Sequence, residues 1–523
     1  MAHRSPSIAP RSSFTIRHSS FIIAFLLGAA TVLGFAPFRL FPVPIATLAW
    51  LAWRWDHEPH PGRAAWCGFA FGLGMFLAGV SWIYVSLHDF GAMPAPLAAV
   101  ATLLFCAYLA LYPAAAGWLF AKFQRSATLP LVLLMPALWV VLEWTRGWLF
   151  TGFPWLAVGY SQVPSSPLAG YAPVFGIYGV SLASVMSSGL IAVLWRRPAR
   201  NDEGGAINDE RPRRHRWTLL SLLIALWAGG YALAQVEWTR PSGEPVTVSL
   251  LQGNIPQELK WREDRIATTL AVYRKLAEAS AGRLVILPET ALPLFLDDVP
   301  RDYLEALAAH ARKNRGDVLI GVPEKGARAG YYNSVLSFGT APTQAYRKIH
   351  LVPFGEFIPL RPVLGWIVGV LAIPLQDFSR GAETQQPLAV AGQRVAVNIC
   401  YEDAFGDEII RQLPHATLLV NVSNVAWFGD SIAPKQHLQI SQARALETGR
   451  FMLRATNTGM TAVISPRGTV EAVAPEFTAA TVTREVRGYS GATPYVRFGN
   501  YPALGIAALF VLVAFRPRRE RRR

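Results

Sequence analysis

Apolar residues form long unbroken blocks through the first half of the chain and short alternating runs through most of the second. The blocks fall at 21–35, 40–53, 64–86, 93–120, 128–149, 173–195, 217–235 and 499–515. Most approach the ~20 residues a helix needs to cross a bilayer, although 40–53 and 499–515 are short. The pattern predicts a membrane α-helical bundle of about eight transmembrane helices, seven within 21–235 and the last at 499–515. Residues 1–20, polar and basic, read as a disordered cytoplasmic N-terminus, and 516–523 as a basic cytoplasmic tail. A basic head before a short apolar block also fits a cleaved signal peptide. The blocks that follow demand one consistent orientation and favour a first membrane span.

Charge position tests that orientation. With an even number of spans both termini share a side, and the loops on that side carry Arg54, Arg63, Lys122, Arg125 and the run Arg196, Arg197, Arg200, Arg211, Arg213, Arg214 and Arg216. The opposite loops hold little beyond Arg39 and Arg146. Basic residues concentrate on the cytoplasmic side of membrane proteins, so residues 236–498 are expected outside the cytoplasm. The formal net charge of +15 therefore reflects topology and gives no reason to expect nucleic acid as a partner. Charged residues make up only 16% of the chain, against about 25% in ordinary soluble domains. One outer loop, 144–172, holds Trp144, Arg146, Trp148, Phe153, Trp155 and Tyr160. It fits either an interfacial aromatic belt or the floor of a lipid-facing cavity. Glu143 is expected to pair with Arg146 or to face the bundle interior, since an unpaired charge there is costly.

From Pro245 the period changes. Strand-like runs fall at 246–252, 283–287, 317–322, 334–338, 394–399, 417–422 and 462–465, and amphipathic helical runs at 262–279, 301–314 and 434–448. This alternation predicts a layered α/β domain over 236–498. Gly-rich phosphate loops and paired-histidine zinc motifs are absent from the sequence, so no metal and no organic cofactor is expected. Of the three cysteines, Cys67 and Cys106 lie inside apolar blocks, which leaves Cys400 as a lone thiol.

Three strand-like runs end on reactive groups: Glu289 in Leu-Pro-Glu-Thr, Lys348 in Tyr-Arg-Lys-Ile-His with Glu356 further along its loop, and Cys400 in Asn-Ile-Cys-Tyr-Glu-Asp with Glu402 beside it. Each has an ordinary structural reading, as an ion pair, a helix-start carboxylate or a small buried hydrophobe. Together they supply the parts of nucleophilic acyl chemistry. A thiol with a pKa near 8.5 is mostly protonated at neutral pH, so a carboxylate must take its proton. A fixed cation must then hold the charge that develops on the attacked carbonyl.

These motifs, Pro-Glu-Thr, Arg-Lys-Ile-His-Leu-Val-Pro-Phe-Gly-Glu and Cys-Tyr-Glu-Asp, resemble the nitrilase superfamily, with its Glu-Lys-Cys triad and αββα sandwich. The apolar blocks, Gln252-Gly253-Asn254-Ile255-Pro256-Gln257, Gly152-Phe153-Pro154-Trp155 and Ala426-Trp427-Phe428-Gly429 narrow the likeness to the bacterial apolipoprotein N-acyltransferases. The resemblance implies that Glu289 is base and acid, Lys348 the oxyanion stabiliser and Cys400 the nucleophile. It assigns Glu356, Glu402 and Tyr401 supporting roles, and substrate-binding roles to Trp261, Trp155 and Trp366. It also implies a phospholipid acyl donor, a diacylglyceryl apolipoprotein acceptor, and a multi-pass protein of the bacterial inner membrane with its catalytic domain on the periplasmic side. One departure stands out, since Val425 occupies a place where the family usually has Asp. The apolar run 363–375 around Trp366 is too short to span; it reads as an arm dipping into the outer leaflet, the alternative being a core helix. Two further readings stand beside transfer: a membrane-tethered amidase with water as acceptor, and a transporter or lipid-binding protein that keeps an enzyme-like domain.

Overall fold

The computed structural model describes residues 12–124, 128–196, 210–326, 330–359, 362 and 378–515. The apolar run 363–375 with Trp366, and the tail 516–523, lie outside the described residues.

The second half folds as two six-stranded sheets. The strands are β1 (Arg240–Gln252), β2 (Leu284–Ile286), β3 (Asp317–Lys325), β4 (Tyr331–Gly339), β5 (Ala345–Arg347), β6 (Leu388–Val390), β7 (Gln393–Ile399), β8 (Leu418–Ser423), β9 (Met452–Thr456), β10 (Ala462–Ile464), β11 (Val470–Val473) and β12 (Ala480–Ser490). One sheet runs β12-β1-β2-β3-β4-β5 and the other β11-β10-β9-β8-β7-β6. At the centre of each the strands are parallel, β1-β2-β3 in one and β7-β8-β9 in the other. Alternation explains the stacking, because successive side chains point to opposite faces of a strand. Val246, Val248, Leu250, Leu284 and Ile286 meet Val395, Val397, Ile399, Val420 and Leu453 in one buried layer between the sheets. The outer face of the first sheet packs on helices Glu263–Glu278 and Arg301–Lys313 through Leu270, Tyr273 and Leu307. That of the second packs on helix Ala433–Thr448 through Leu438 and Ala445.

Among the described residues of the first half, four helices are long and apolar enough to cross a membrane: Pro61–Val80, Ala95–Phe123, Pro167–Leu194 and Arg216–Ala234. Shorter apolar helices run Ser20–Gly34 and Tyr501–Phe515. Helices Pro42–Asp56 and Met135–Arg146 occupy two further predicted blocks. The first helix begins at Ser12, so residues 12–20, read from sequence as disordered, are helical.

Helix Ala433–Thr448 joins the two halves. One side contributes to the sandwich, while Ala433, Ile440 and Ala443 pack into the core of the bundle. Its polar residues reach the same way. Gln436 Oε1 accepts from Trp82 Nε1 at 3.2 Å and Trp155 Nε1 at 2.7 Å. Gln439 accepts from the Ala36 N–H at 2.8 Å and donates to the Val163 carbonyl at 3.0 Å. Glu447 Oε1 accepts from the Ile177 N–H at 2.7 Å, just past the break that Gly176 makes in its helix with φ +66°. A Cβ on Gly176 would lie 2.4 Å from the Tyr495 ring, so both the backbone twist and the space there call for glycine.

Candidate active site

The chemistry-bearing residues collect just beyond the carboxyl ends of the parallel strands, where α/β sheets open their crevices. Glu289 follows β2, Cys400 follows β7 and Asn424 follows β8. Cys400 begins a 3-10 turn, Cys400–Ala404, with φ +54°. A non-glycine residue held in this left-handed region costs about 1–3 kcal/mol and persists only when its surroundings enforce it. Here Asn421 Nδ2 and His437 Nε2 each approach the Cys400 carbonyl at 3.2 Å, so His437 carries its proton on Nε2.

Glu402 ties this turn to the lysine loop. One carboxylate oxygen accepts from the Ile399 N–H at 2.6 Å and the Tyr346 hydroxyl at 3.0 Å. The other accepts from the N–H groups of Ile349 at 2.6 Å and His350 at 3.1 Å. Burial pushes its carboxyl up, opposed by these donors and by Lys348. The three main-chain partners can only donate, which favours the carboxylate form of Glu402.

Lys348 is thereby held at the floor of the crevice, 1% exposed. Its Nζ lies 2.8 Å from Glu356 Oε1 and 3.5 Å from Glu289 Oε1. Asn333 Nδ2 donates to both carboxylates, at 2.8 Å to Glu289 and 3.0 Å to Glu356. The second oxygens accept main-chain N–H groups, Glu289 from Asn424 and Glu356 from Val352, both at 2.8 Å. Burial works against the Lys348 ammonium, but Glu356, Glu289 and Cys400 outweigh it and raise its pKa above the ordinary lysine range. Burial likewise pushes Glu289 up, and Lys348, Asn333, Lys260 and the Asn424 N–H reverse that, leaving its carboxyl below the usual range. The thiol moves the other way. Burial and Glu289 push the Cys400 pKa up to about 12. At rest the site therefore holds a neutral thiol beside an ionised carboxylate and a fixed ammonium.

The structure thus brings Glu289, Lys348, Cys400, Glu356 and Glu402 together. Tyr401 points toward the bundle. Its hydroxyl donates to the Gly152 carbonyl at 3.0 Å and its ring stacks on Phe153 at 6.3 Å between centroids. Trp155 is buried beneath the Cys400 turn, its ring 5.5 Å from that of His437. The 144–172 loop is split: Phe153 and Trp155 form a floor under the turn, while Trp148 and Phe150 are exposed. Glu143 and Arg146 face the bundle interior, where Arg146 Nη1 donates to the carbonyls of Phe153 and Trp155, each at 2.6 Å. Trp261 is half-buried after the 257–260 turn. Val425, buried at 1% exposure, fills its place with an apolar side chain, consistent with the departure noted in the sequence. Sequence reasoning passed over Lys260, Asn333, Asn424 and His437. Their only signal is a polar residue in or beside an apolar run.

The stacked sheets and this crevice define the class: residues 247–495 match the family model described as Carbon-nitrogen hydrolase. Residues 27–190 match a second model, Apolipoprotein N-acyltransferase N-terminal domain. The chain is 55% identical over 506 residues to an apolipoprotein N-acyltransferase of Nitrosomonas europaea, covering 95% of this chain and 98% of that protein. One from Chromobacterium violaceum is 46% identical over 94% of this chain and 92% of its own length. Among solved structures, the Caenorhabditis elegans NitFhit protein aligns with 53% of this chain and 66% of its own, at 17% identity and a TM-score of 0.38. The chain belongs to the apolipoprotein N-acyltransferase family.

Proposed function

We propose that this protein moves a fatty acyl chain from the sn-1 ester of a phospholipid to the α-amine of a diacylglyceryl-cysteine at the N-terminus of an apolipoprotein. The observation that carries the reading is the buried Glu289–Lys348–Glu356 cluster beside Cys400, on a turn that Tyr401 fastens to the membrane half.

Glu289 takes the thiol proton as Cys400 Sγ bonds to the ester carbon, and the carbonyl electron pair moves onto oxygen. Lys348 and main-chain N–H groups near Tyr401 stabilise that oxyanion. Collapse breaks the C–O bond, the departing alkoxide recovers the proton from Glu289, and a lysophospholipid leaves behind a thioester. The acceptor amine, with a pKa of about 8, enters in its neutral form. It attacks the thioester and gives a proton to Glu289. Collapse breaks the C–S bond, and the thiolate takes that proton back. Glu356 fixes the lysine, and Trp261 and Trp155 border the path of the acyl chain.

Eight spans, seven before residue 236 and one at 499–515, with 236–498 periplasmic, put this crevice beside the outer leaflet of the inner membrane where both substrates are anchored. The four long apolar helices and the basic loops support that arrangement. The test is intact-mass spectrometry of purified protein after incubation with phosphatidylethanolamine. A fatty-acyl adduct is expected, absent in Cys400→Ala and discharged by a diacylglyceryl-cysteine peptide. Turnover to free fatty acid with no adduct and no amide product would overturn transfer in favour of hydrolysis.

A further inference from the structure

A second lysine lies in the same crevice. Lys260, at the end of the Gln257–Leu259 turn, is 2% exposed. Its Nζ donates to Thr290 Oγ1 at 2.6 Å and to the Glu289 main-chain carbonyl at 3.3 Å. Thr290 sits at φ +44°, in the left-handed region that a β-branched residue rarely adopts. Something must enforce that turn, and the two Lys260 hydrogen bonds span it. The same segment reaches Glu289 by another route. Gln257 Oε1 accepts from Asn424 Nδ2 at 2.8 Å, and the Asn424 N–H caps Glu289 Oε2 at 2.8 Å.

Charge gives the second line of argument. Glu289 and Glu356 share Asn333 and Lys348, so with one ammonium the group carries an excess negative charge. A buried site in that state disfavours both an ionised base and a nascent oxyanion. Glu402 is satisfied by its own four donors, and Asp403 beneath the turn is 3.5 Å from Arg454. Among the described residues, Lys260 is the remaining cation against Glu289. Burial lowers its pKa to about 8, opposed by Glu289 and Cys400, so it keeps its proton at neutral pH.

We propose that Lys260 is a positioning residue for the base: its buried ammonium grips the strained Glu289–Thr290 turn and balances the second of the two carboxylates around Lys348. The assignment rests on Glu289 acting as the base. It predicts two separable consequences of losing the charge, a displaced turn and a carboxyl that holds its proton to higher pH.

The experiment follows single-turnover acyl-enzyme formation from phosphatidylethanolamine, by intact mass, as a function of pH. For Lys260→Met the rate at neutral pH falls on the order of tenfold, and the acid limb moves up by about one unit or more, the size of shift an adjacent opposite charge confers. Lys260→Arg keeps the charge and holds the wild-type limb. A methionine variant that is slower with an unmoved limb reduces Lys260 to a packing role and overturns the proposal. So does an arginine variant whose limb shifts like the methionine one. Should the methionine variant not be recovered folded, Lys260→Gln, equally uncharged, takes its place on the same criteria. Glu289→Gln separates the two levels: if it acylates at the wild-type rate, the base assignment itself fails, whatever Lys260 does.

Discussion

Glu402 offers the sharpest test of how the crevice is assembled, because its carboxylate makes no contact that chemistry requires and four that geometry does. Replacing it by glutamine keeps the volume and one oxygen. That oxygen can still serve the N–H groups of Ile349 and His350. The new amide nitrogen then faces the Ile399 N–H, donor against donor, in place of a 2.6 Å hydrogen bond. The Tyr346 hydroxyl rotates to accept from it. One buried main-chain donor is left unsatisfied, at a cost of about 1–3 kcal/mol, and donor–donor repulsion brings the total to about 2–4 kcal/mol. For a domain of this size each kcal/mol lowers the unfolding midpoint by about 2–4 °C, so a drop of about 4–16 °C is expected by tryptophan fluorescence in detergent. The kinetic effect is larger in proportion, since Glu402 hydrogen-bonds both the Cys400 turn and the loop that carries Lys348, where the other tie is His350 stacked on Phe405 and 3.0 Å from Glu408. Misplacing reacting groups by about 1 Å costs on the order of 10²-fold, and single-turnover acyl-enzyme formation should fall by that order. Glu402→Ala removes all four acceptor contacts and is expected to prevent recovery of folded protein, since three orphaned main-chain donors approach the whole of a domain's stability. A Glu402→Gln protein with the wild-type midpoint and an acylation rate within threefold would refute the tether.

The remaining predictions concern the charges and the mount. Thiolate ultraviolet absorbance attributable to Cys400, taken as wild type minus Cys400→Ser, should be absent near neutral pH and rise only toward a midpoint of about 12; a midpoint near neutrality would mean a resting ion pair and reverse the roles drawn here. The raised pKa also fixes the sign of the linkage: the native state holds this proton more tightly than the unfolded chain does. Stability is therefore unaffected below the ordinary thiol range and declines as pH rises from there toward 12. Lys348→Met should lower acyl-enzyme formation by at least 10²–10³-fold, roughly the worth of an oxyanion donor, with no rescue in Lys348→Arg because a planar guanidinium does not fit between Glu356 and Glu289; rescue by arginine would show that charge alone suffices. Glu447→Ala strands both the Ile177 N–H at the Gly176 break and the buried Arg444 guanidinium, 2.8 Å from Glu447, and should lower the unfolding midpoint, at about 3–5 kcal/mol, while folded protein acylates at near the wild-type rate; an equal loss of rate would place Glu447 in the catalytic machinery.

Legibility in the sequence follows how locally a residue's partners are encoded. Strands such as β1, β3 and β8 announce themselves because branched apolar residues alternate against a single buried layer. The residues proposed for the chemistry stood out for a related reason. A reactive group at the end of an apolar strand has no packing task there, and Glu289, Lys348 and Cys400 all stand at such ends. β9 was not legible, although it lies at the centre of its sheet, because Arg454 interrupts its apolar run. That arginine is fully buried and answered by Asn421 Oδ1 at 2.6 Å, 33 residues away in sequence. Asn333 and Lys260 were missed on the same ground, since each is polar, buried and satisfied only across the fold.

Helix Ala433–Thr448 is the extreme case, and it explains why the membrane half and the crevice act as one body. A surface helix shows an apolar stripe opposite a polar face. This one is buried on nearly every side, so its polar residues are not a solvent face. Gln436 reaches Trp155 across 281 positions and Gln439 reaches Ala36 across 403. From the same helix His437 approaches the Cys400 carbonyl, and Ser441 donates to Asp403 beneath the nucleophile turn. Gln436 and Gln439 each strand partners if the two halves part, at about 1–3 kcal/mol per orphan. The register between bundle and sandwich is therefore specified by directional bonds and not by greasy contact alone. A residue held in left-handed backbone, as Cys400 is, needs such a support. Helix Ala433–Thr448 is bolted at once to that strand end and to the aromatic floor of Trp155 beneath it.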